Sequence, residues 1–181
     1  MNRMKLALKG GDMLRVSILL VVAMVAMVSC QKSQAPAKHP IEGVWKIAEI
    51  RNVGPEGETV NPAPQPSLYI FTTRHYSLIW IPGREPRRGS TKTWFPTYDE
   101  KVKDFDTIIV NSGTYELTDT TLTTHPTVAK TPEYVGGKGV FEYRIEADTL
   151  WLTNVDIHSS DGTQDPYIVQ YRSPLKLVRV E

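Results

Sequence analysis

The sequence predicts an all-β domain: an antiparallel up-and-down barrel of eight strands, with nine or ten as the upper counts, and one short helix. Three observations lead there. From Gly43 onward apolar and polar residues alternate with period two far more than with period 3.6. Tight turn signals separate neighbouring strand candidates, at Thr118–Asp119–Thr120 and Ala147–Asp148. Sequential strands joined by short turns can close on themselves and so remove their exposed edges.

Each element follows in order. GVWKIAEIRNV (43–53) opens the domain as a strand whose imperfect alternation suggests a bulge. GPEGETVNPAPQP (54–66) reads as a loop, because its four prolines exclude a central strand. SLYIFTT (67–73) and HYSLIWI (75–81) are strands rich in aromatic and β-branched residues. PGREPRRGSTKTWFP (82–96) is a long loop with four cationic residues. Thr97 to Glu100 spells a capping box, and Tyr98, Val102, Phe105 and Ile109 then form one apolar stripe, so a helix is expected over 97–109. The remaining strands are TYEL (114–117), TLTTHPTV (121–128), GVFEYRIE (139–146), TLWLTNV (149–155) and PYIVQYRSPLKLVRV (166–180). Pro174 could split the last of these into two. Phe141, Tyr143 and Ile145 alternate with Glu142, Arg144 and Glu146, the pattern of a half-buried strand with a wet outer face.

The first 40 residues have a different character. A basic stretch with Arg3, Lys5, Lys9 and Arg15 leads into the apolar run VSILLVVAMVAMVS (16–29). Fourteen residues are too few for a bilayer crossing, which takes about 20, and match a secretory signal instead. The run ends in MVSC, which resembles a bacterial lipobox, and Cys30 is the only cysteine in the chain. A lone thiol in an exported protein cannot form an internal disulfide, and lipid attachment accounts for it. The expected organisation is therefore a lipoprotein signal peptide at 1–29, lipidated Cys30 with a flexible tether to 40, and a barrel domain at 41–181. Met1, Met4 and Met13 are all possible starts. The tether would reach at most about 35 Å when extended, which keeps the domain at the membrane of a bacterial cell envelope. Gln31, in place of Asp, favours the outer membrane in a two-membrane cell, with the domain facing the periplasm.

Removing residues 1–29 takes four of the 21 Lys and Arg and one of the 20 Asp and Glu, which leaves 17 against 19. That balance argues against nucleic acid as a partner, since phosphates call for a basic stripe. About 150 residues suit one domain with one core. Oligomeric state is left open, with a monomer as the default.

The motifs resemble those of the bacterial lipocalin-like domain. Gly43-Val44-Trp45, the block YIFTTRHYSLIWIPGREPR (69–87) with its Tyr69 and Tyr76-Ser77, and Gly113-Thr114-Tyr115 fall in that family's order. His125 on a strand and the hairpin ending in Asp148-Thr149-Leu150 continue it, so the likeness spans Ile41 to Glu181. The resemblance implies a lipocalin-like barrel. It also implies that Trp45 on the first strand packs across the closed end beneath a basic residue of the last strand, for which Arg179 is the candidate. The alternative is an ordinary core Trp with Arg179 in solvent.

Candidate site residues are mostly aromatic. Tyr69, Phe71, Tyr76, Trp80, Tyr115, Phe141 and Tyr143 sit on strands and could line a cavity, as apolar and aromatic side chains do in ligand sites. His125 could face that cavity or be structural. A solid packed core is the competing outcome. His39, His75, His125 and His158 show no metal-ligand spacing, and no G-x-S-x-G elbow is present, so neither metal, cofactor nor catalytic residue is expected. GREPRR (83–88) is either a solvated loop or a contact for anionic headgroups. Three functions remain: a membrane-anchored carrier of a small apolar or amphipathic molecule, a non-catalytic envelope interaction module with a filled barrel, and a barrel isomerase or cyclase.

Overall fold

The computed structural model describes residues 38–181; the signal segment, Cys30 and the tether as far as residue 37 lie outside the described residues. Nine strands run antiparallel: β1 (Gly43–Gly54), β2 (Gly57–Asn61), β3 (Ser67–Phe71), β4 (His75–Trp80), β5 (Ile109–Leu117), β6 (Thr121–Ala129), β7 (Lys138–Glu146), β8 (Thr149–His158) and β9 (Pro174–Arg179). Pairing of β1 with β9 closes eight of them into an all-β barrel, and β2 is an extra strand hydrogen-bonded to the far half of β1. Two helices, α1 (Tyr98–Asp106) and the five-residue α2 (Pro166–Gln170), and a 3-10 turn at Pro132–Tyr134 complete it. Among the described residues no helix is long and apolar enough to cross a membrane.

The irregular alternation in β1 is a bulge. Ile47 pairs with Leu177 and Glu49 with Lys176, so Ala48 is the additional residue. Burial follows: Trp45, Ile47 and then Ile50 face inward, with the parity shifted by one across the bulge. Further bulges lie opposite Ser112/Gly113 and Val140/Phe141.

Four expectations are corrected. Residues 54–66 are not wholly loop: β2 forms between Pro55 and Pro62, where it can take an edge position that requires no ladder bond from a proline. The ninth strand is therefore β2, not a divided last strand. Pro166–Gln170 is helical, with the Asp165 side chain accepting from Tyr167 N and Pro166 in the first turn, where its missing N–H is harmless. The structured region also begins before the expected tether ends. His39 O accepts from Glu42 N at 2.9 Å, and the His39 ring meets Tyr143 edge-on at 6.4 Å.

The fourth correction concerns α1. Its capping box is formed, with Glu100 N donating to Thr97 Oγ1 at 3.3 Å and Thr97 N to Glu100 Oε2 at 2.7 Å. The helix stops at Asp106, however, so Ile109 begins β5, and no α1 residue is buried. Tyr98 is 79% exposed and Phe105 and Val102 are exposed too. Polar ties hold the helix instead: Arg87 bridges Asp104 at 3.1 Å, and Lys130 Nζ donates to Phe105 O at 3.1 Å while lying over the Phe105 ring. The seat at the barrel's open end is taken by α2, whose Ile168 is buried.

Two seams divide the barrel into unlike halves. Of β1, only Gly43, Val44 and Trp45 pair with β3; of β6, only Thr121 to Thr124 pair with β7. Both seams lie at one end, which they close. Toward the other end β1 and β6 leave these neighbours, and the barrel widens. Ser67 Oγ, accepting from Ile47 N at 2.7 Å, is a side-chain link across the first gap.

Candidate ligand site

At the closed end, Trp45 is 0% exposed, and its indole N–H donates to Ile41 O at 2.7 Å. Trp45 stands directly opposite Arg179 in the β1–β9 register, which puts both side chains on the inner face. The guanidinium lies 4.1 Å from the centroid of the indole ring. It also donates from Nη1 to Glu42 O at 2.9 Å and from Nη2 to Pro40 O at 2.6 Å, and its Nε sits 3.3 Å from Asp148 Oδ1. This crowding explains Gly43. A Cβ there would come within 2.5 Å of Arg179 Nη1 and 2.6 Å of Glu181 O, and Gly43 has φ +143°.

Phe71, Tyr76, Tyr115 and Tyr143 all belong to this end or to the layer just above it. Phe71 and Tyr115 meet edge-to-face at 5.5 Å, Tyr115 donates its hydroxyl to Thr72 O at 2.5 Å, and Tyr143 donates to Thr118 O at 2.9 Å. Burial, followed by the charge of Glu42, pushes the Tyr115 phenol up to about 12.

At the open end lies a cavity of about 950 Å³. Ile50, Tyr69, Leu78, Phe141, Ile168 and Leu175 form its apolar walls, and Trp80, Ile109 and Ile157 continue them. Polar groups are spread among them: Asn52, Asn61, Asn111 and Asn154 from four strands, with Ser173 and Tyr134. Arg84, Lys130, Glu133 and Asp165 supply charge. Of the expected lining residues, Tyr69, Trp80 and Phe141 border this space. Phe71, Tyr76, Tyr115 and Tyr143 do not; they lie at depths where the converging strands leave no room. His125 faces outward, its Nε2 3.9 Å from Glu116 Oε1, because Leu122, Thr124 and Pro126 hold the inward parity of β6.

The hydrogen bonds inside join neighbouring elements. Tyr76 donates to Asn111 Oδ1 at 2.7 Å. Thr124 Oγ1 donates to Gly139 O at 3.2 Å and lies 3.4 Å from the Tyr134 hydroxyl, which therefore acts as donor in that contact. Gly139 makes room for it, since a Cβ there would fall 2.3 Å from the Tyr134 oxygen. Burial pushes the phenols of Tyr69, Tyr76 and Tyr134 up, so each stays protonated at neutral pH.

Asn111, Tyr134 and Ile168 were missed by sequence reasoning. Asn111 had a usable signal: it shares parity with Gly113 and Tyr115, and extending the strand upstream of Thr114 places it inside. Nothing comparable marks Tyr134 or Ile168, which reach the cavity from irregular or helical segments.

The GREPRR cluster is exposed. Its Arg84 donates to Val60 O at 2.7 Å, and its Arg87 is tied to α1. Comparison with known proteins then agrees with the geometry: a family model described as lipocalin-like domain matches residues 42–172. No curated protein matches the chain.

Proposed function

The chain belongs to the lipocalin-like domain family, and we propose that it is a binding protein whose open half holds a small apolar or amphipathic molecule. The observation that carries this reading is the cavity of about 950 Å³ with apolar walls and a few placed polar groups. Sites for small molecules have that composition and fall in the range of about 300–1,000 Å³. Binding, not catalysis, suits the interior. Its buried titratable groups at the cavity are phenols held protonated, of which Tyr69 has its hydrogen available for a ligand acceptor. An apolar fluorescent probe titrated into the purified protein tests the reading, together with native mass spectrometry of protein from its own host. Saturable binding or a retained mass is the expected outcome; no binding below millimolar probe would overturn it.

Membrane attachment through Cys30 is part of the same proposal. The apolar run 16–29, the MVSC site and the single cysteine support it, and an envelope location on the outer membrane, facing the periplasm, follows from Gln31. Cys30→Ser should release the protein from membranes. If that variant still sediments with membranes after a high-salt wash, the anchor is something else.

A second reading, an interaction module, has its own observation. Trp94 is 90% exposed, and Phe95 and Tyr98, near it in sequence, are exposed as well. Exposed aromatics of this kind are common in protein interfaces. Should the probe fail to bind, crosslinking from position 94 in intact cells separates a docked partner from an unoccupied surface.

A further inference from the structure

The floor of the cavity carries hydrogen-bond donors that the protein does not use. Tyr69, Leu78 and Asn111 lie side by side on β3, β4 and β5: Tyr69 pairs with Leu78, and Leu78 with Asn111. Directly opposite residues share a face, so a hydroxyl and a carboxamide flank one leucine at a single level of the wall. Both residues are more than nine-tenths buried, Tyr69 at 4% exposure and Asn111 at 8%.

Their neighbours show which atoms are free. Tyr76 donates to Asn111 Oδ1, which fixes the amide and leaves its two N–H groups pointing away from Tyr76. Tyr134 and Thr124 satisfy each other and Gly139 O. No partner exists for the Tyr69 hydroxyl or the Asn111 amide nitrogen among the described residues. Among the described residues the fully sealed side-chain nitrogen or oxygen atoms lacking a partner are His125 Nε2 and Trp151 Nε1, so the two floor groups keep some surface, and the surface open to them is that of the cavity. A buried donor without an acceptor is destabilising. A ligand acceptor would relieve that.

We propose that this floor recognises a carbonyl oxygen: the Tyr69 hydroxyl and the Asn111 N–H2 bind one uncharged oxygen acceptor of an otherwise apolar ligand, such as a ketone, quinone or ester. The inference rests on the cavity being a ligand site. A carboxylate is disfavoured at this depth because its charge would need a buried cation. The cations that border the cavity, Arg84 and Lys130, donate to the carbonyls of Val60 and Phe105. An apolar molecule with no oxygen would leave both donors unpaired.

The test compares two naphthalene probes, 6-propionyl-2-(dimethylamino)naphthalene and its analogue bearing a propyl group in place of propionyl. The ketone should bind about tenfold more tightly, the scale of one or two neutral hydrogen bonds. Tyr69→Phe and Asn111→Leu should each reduce that preference to about threefold or less, with circular dichroism and urea unfolding showing that each variant is folded. Tyr69→Phe should in addition leave the melting temperature unchanged or higher, since it deletes a hydroxyl that has no partner. Equal affinities of the two probes for the unaltered protein would overturn the inference while leaving the carrier reading intact. Binding of neither probe would overturn both. Tighter binding of a dimethylaminonaphthalene carboxylate than of the ketone would also overturn it, by showing that the floor accepts charge.

Discussion

The closed and open ends of the barrel are made from the same kinds of strand, yet one is solid and the other hollow. At the closed end β1 pairs with both β3 and β9, and Trp45 is held between Tyr69 and Arg179. Eight residues further on, β1 has exchanged β3 for β2, and Val53 meets Arg172 in an isolated bridge. Inward parity alone therefore does not decide whether an aromatic side chain is core or cavity wall. Depth decides it: Tyr69 and Phe71 share a strand and a face, but only Tyr69 borders the cavity.

The largest expected effect is at the plug. Trp45→Ala removes a fully buried indole from a region that cannot collapse, and should cost about 3–5 kcal/mol, read by urea unfolding. A loss under about 1.5 kcal/mol would mean that the closed end is as loosely filled as the open one. Next is Gly43→Ala, which puts a Cβ against Arg179 and Glu181 at a positive φ and should cost about 1–3 kcal/mol. Arg179→Ala should cost less, with the stacking contribution about 0.5–2 kcal/mol. The double variant with Trp45→Ala should show coupling of at least about 0.5 kcal/mol; strictly additive losses would separate the two side chains energetically.

At the open end the balance reverses. Phe141→Trp fills space instead of removing support, so stability should change by less than about 1.5 kcal/mol while probe affinity falls roughly tenfold. Equal affinity in that variant would place the probe elsewhere. The smallest effects are those of pH. Tyr115, pushed up to about 12, contributes stability that is complete below its ordinary value of 10.0 and disappears as pH rises through 12. Tyr69 and Tyr76 act with the same sign. Urea midpoints should therefore fall between pH 10 and 12, and Tyr115→Phe should flatten that fall. At acid pH the sign is opposite: hydrogen bonds from Thr91 and then Thr97 hold Glu100 down to about 2, so the α1 cap is fully stabilising above the usual carboxylate range and is lost as pH falls from there through about 2. Amide resonances of Thr91 and Thr97 should shift in that window while those of Trp45 and Tyr69 stay in place.

Local chemistry by itself determined much of this protein. Strand patterning marked all eight barrel strands at least in part, the T-x-x-E box marked α1, and the broken alternation of Trp45, Ile47 and Ile50 marked the bulge. These are consequences of where a backbone sends consecutive side chains, and a sequence records them directly. Other features depend on neighbours far away in the chain. The exposure of Tyr98 and Phe105 follows from the seat at the open end being occupied by α2, some 60 residues later, a segment whose own Ile and Val had suggested a strand. Which face of β6 turns inward, and so sends His125 outward, is set by its pairing with β5 and β7. The cavity itself arises because two seams are paired at one end only. Alternation says which face a side chain takes, but only the pairing of distant strands sets how far apart the opposing faces stand.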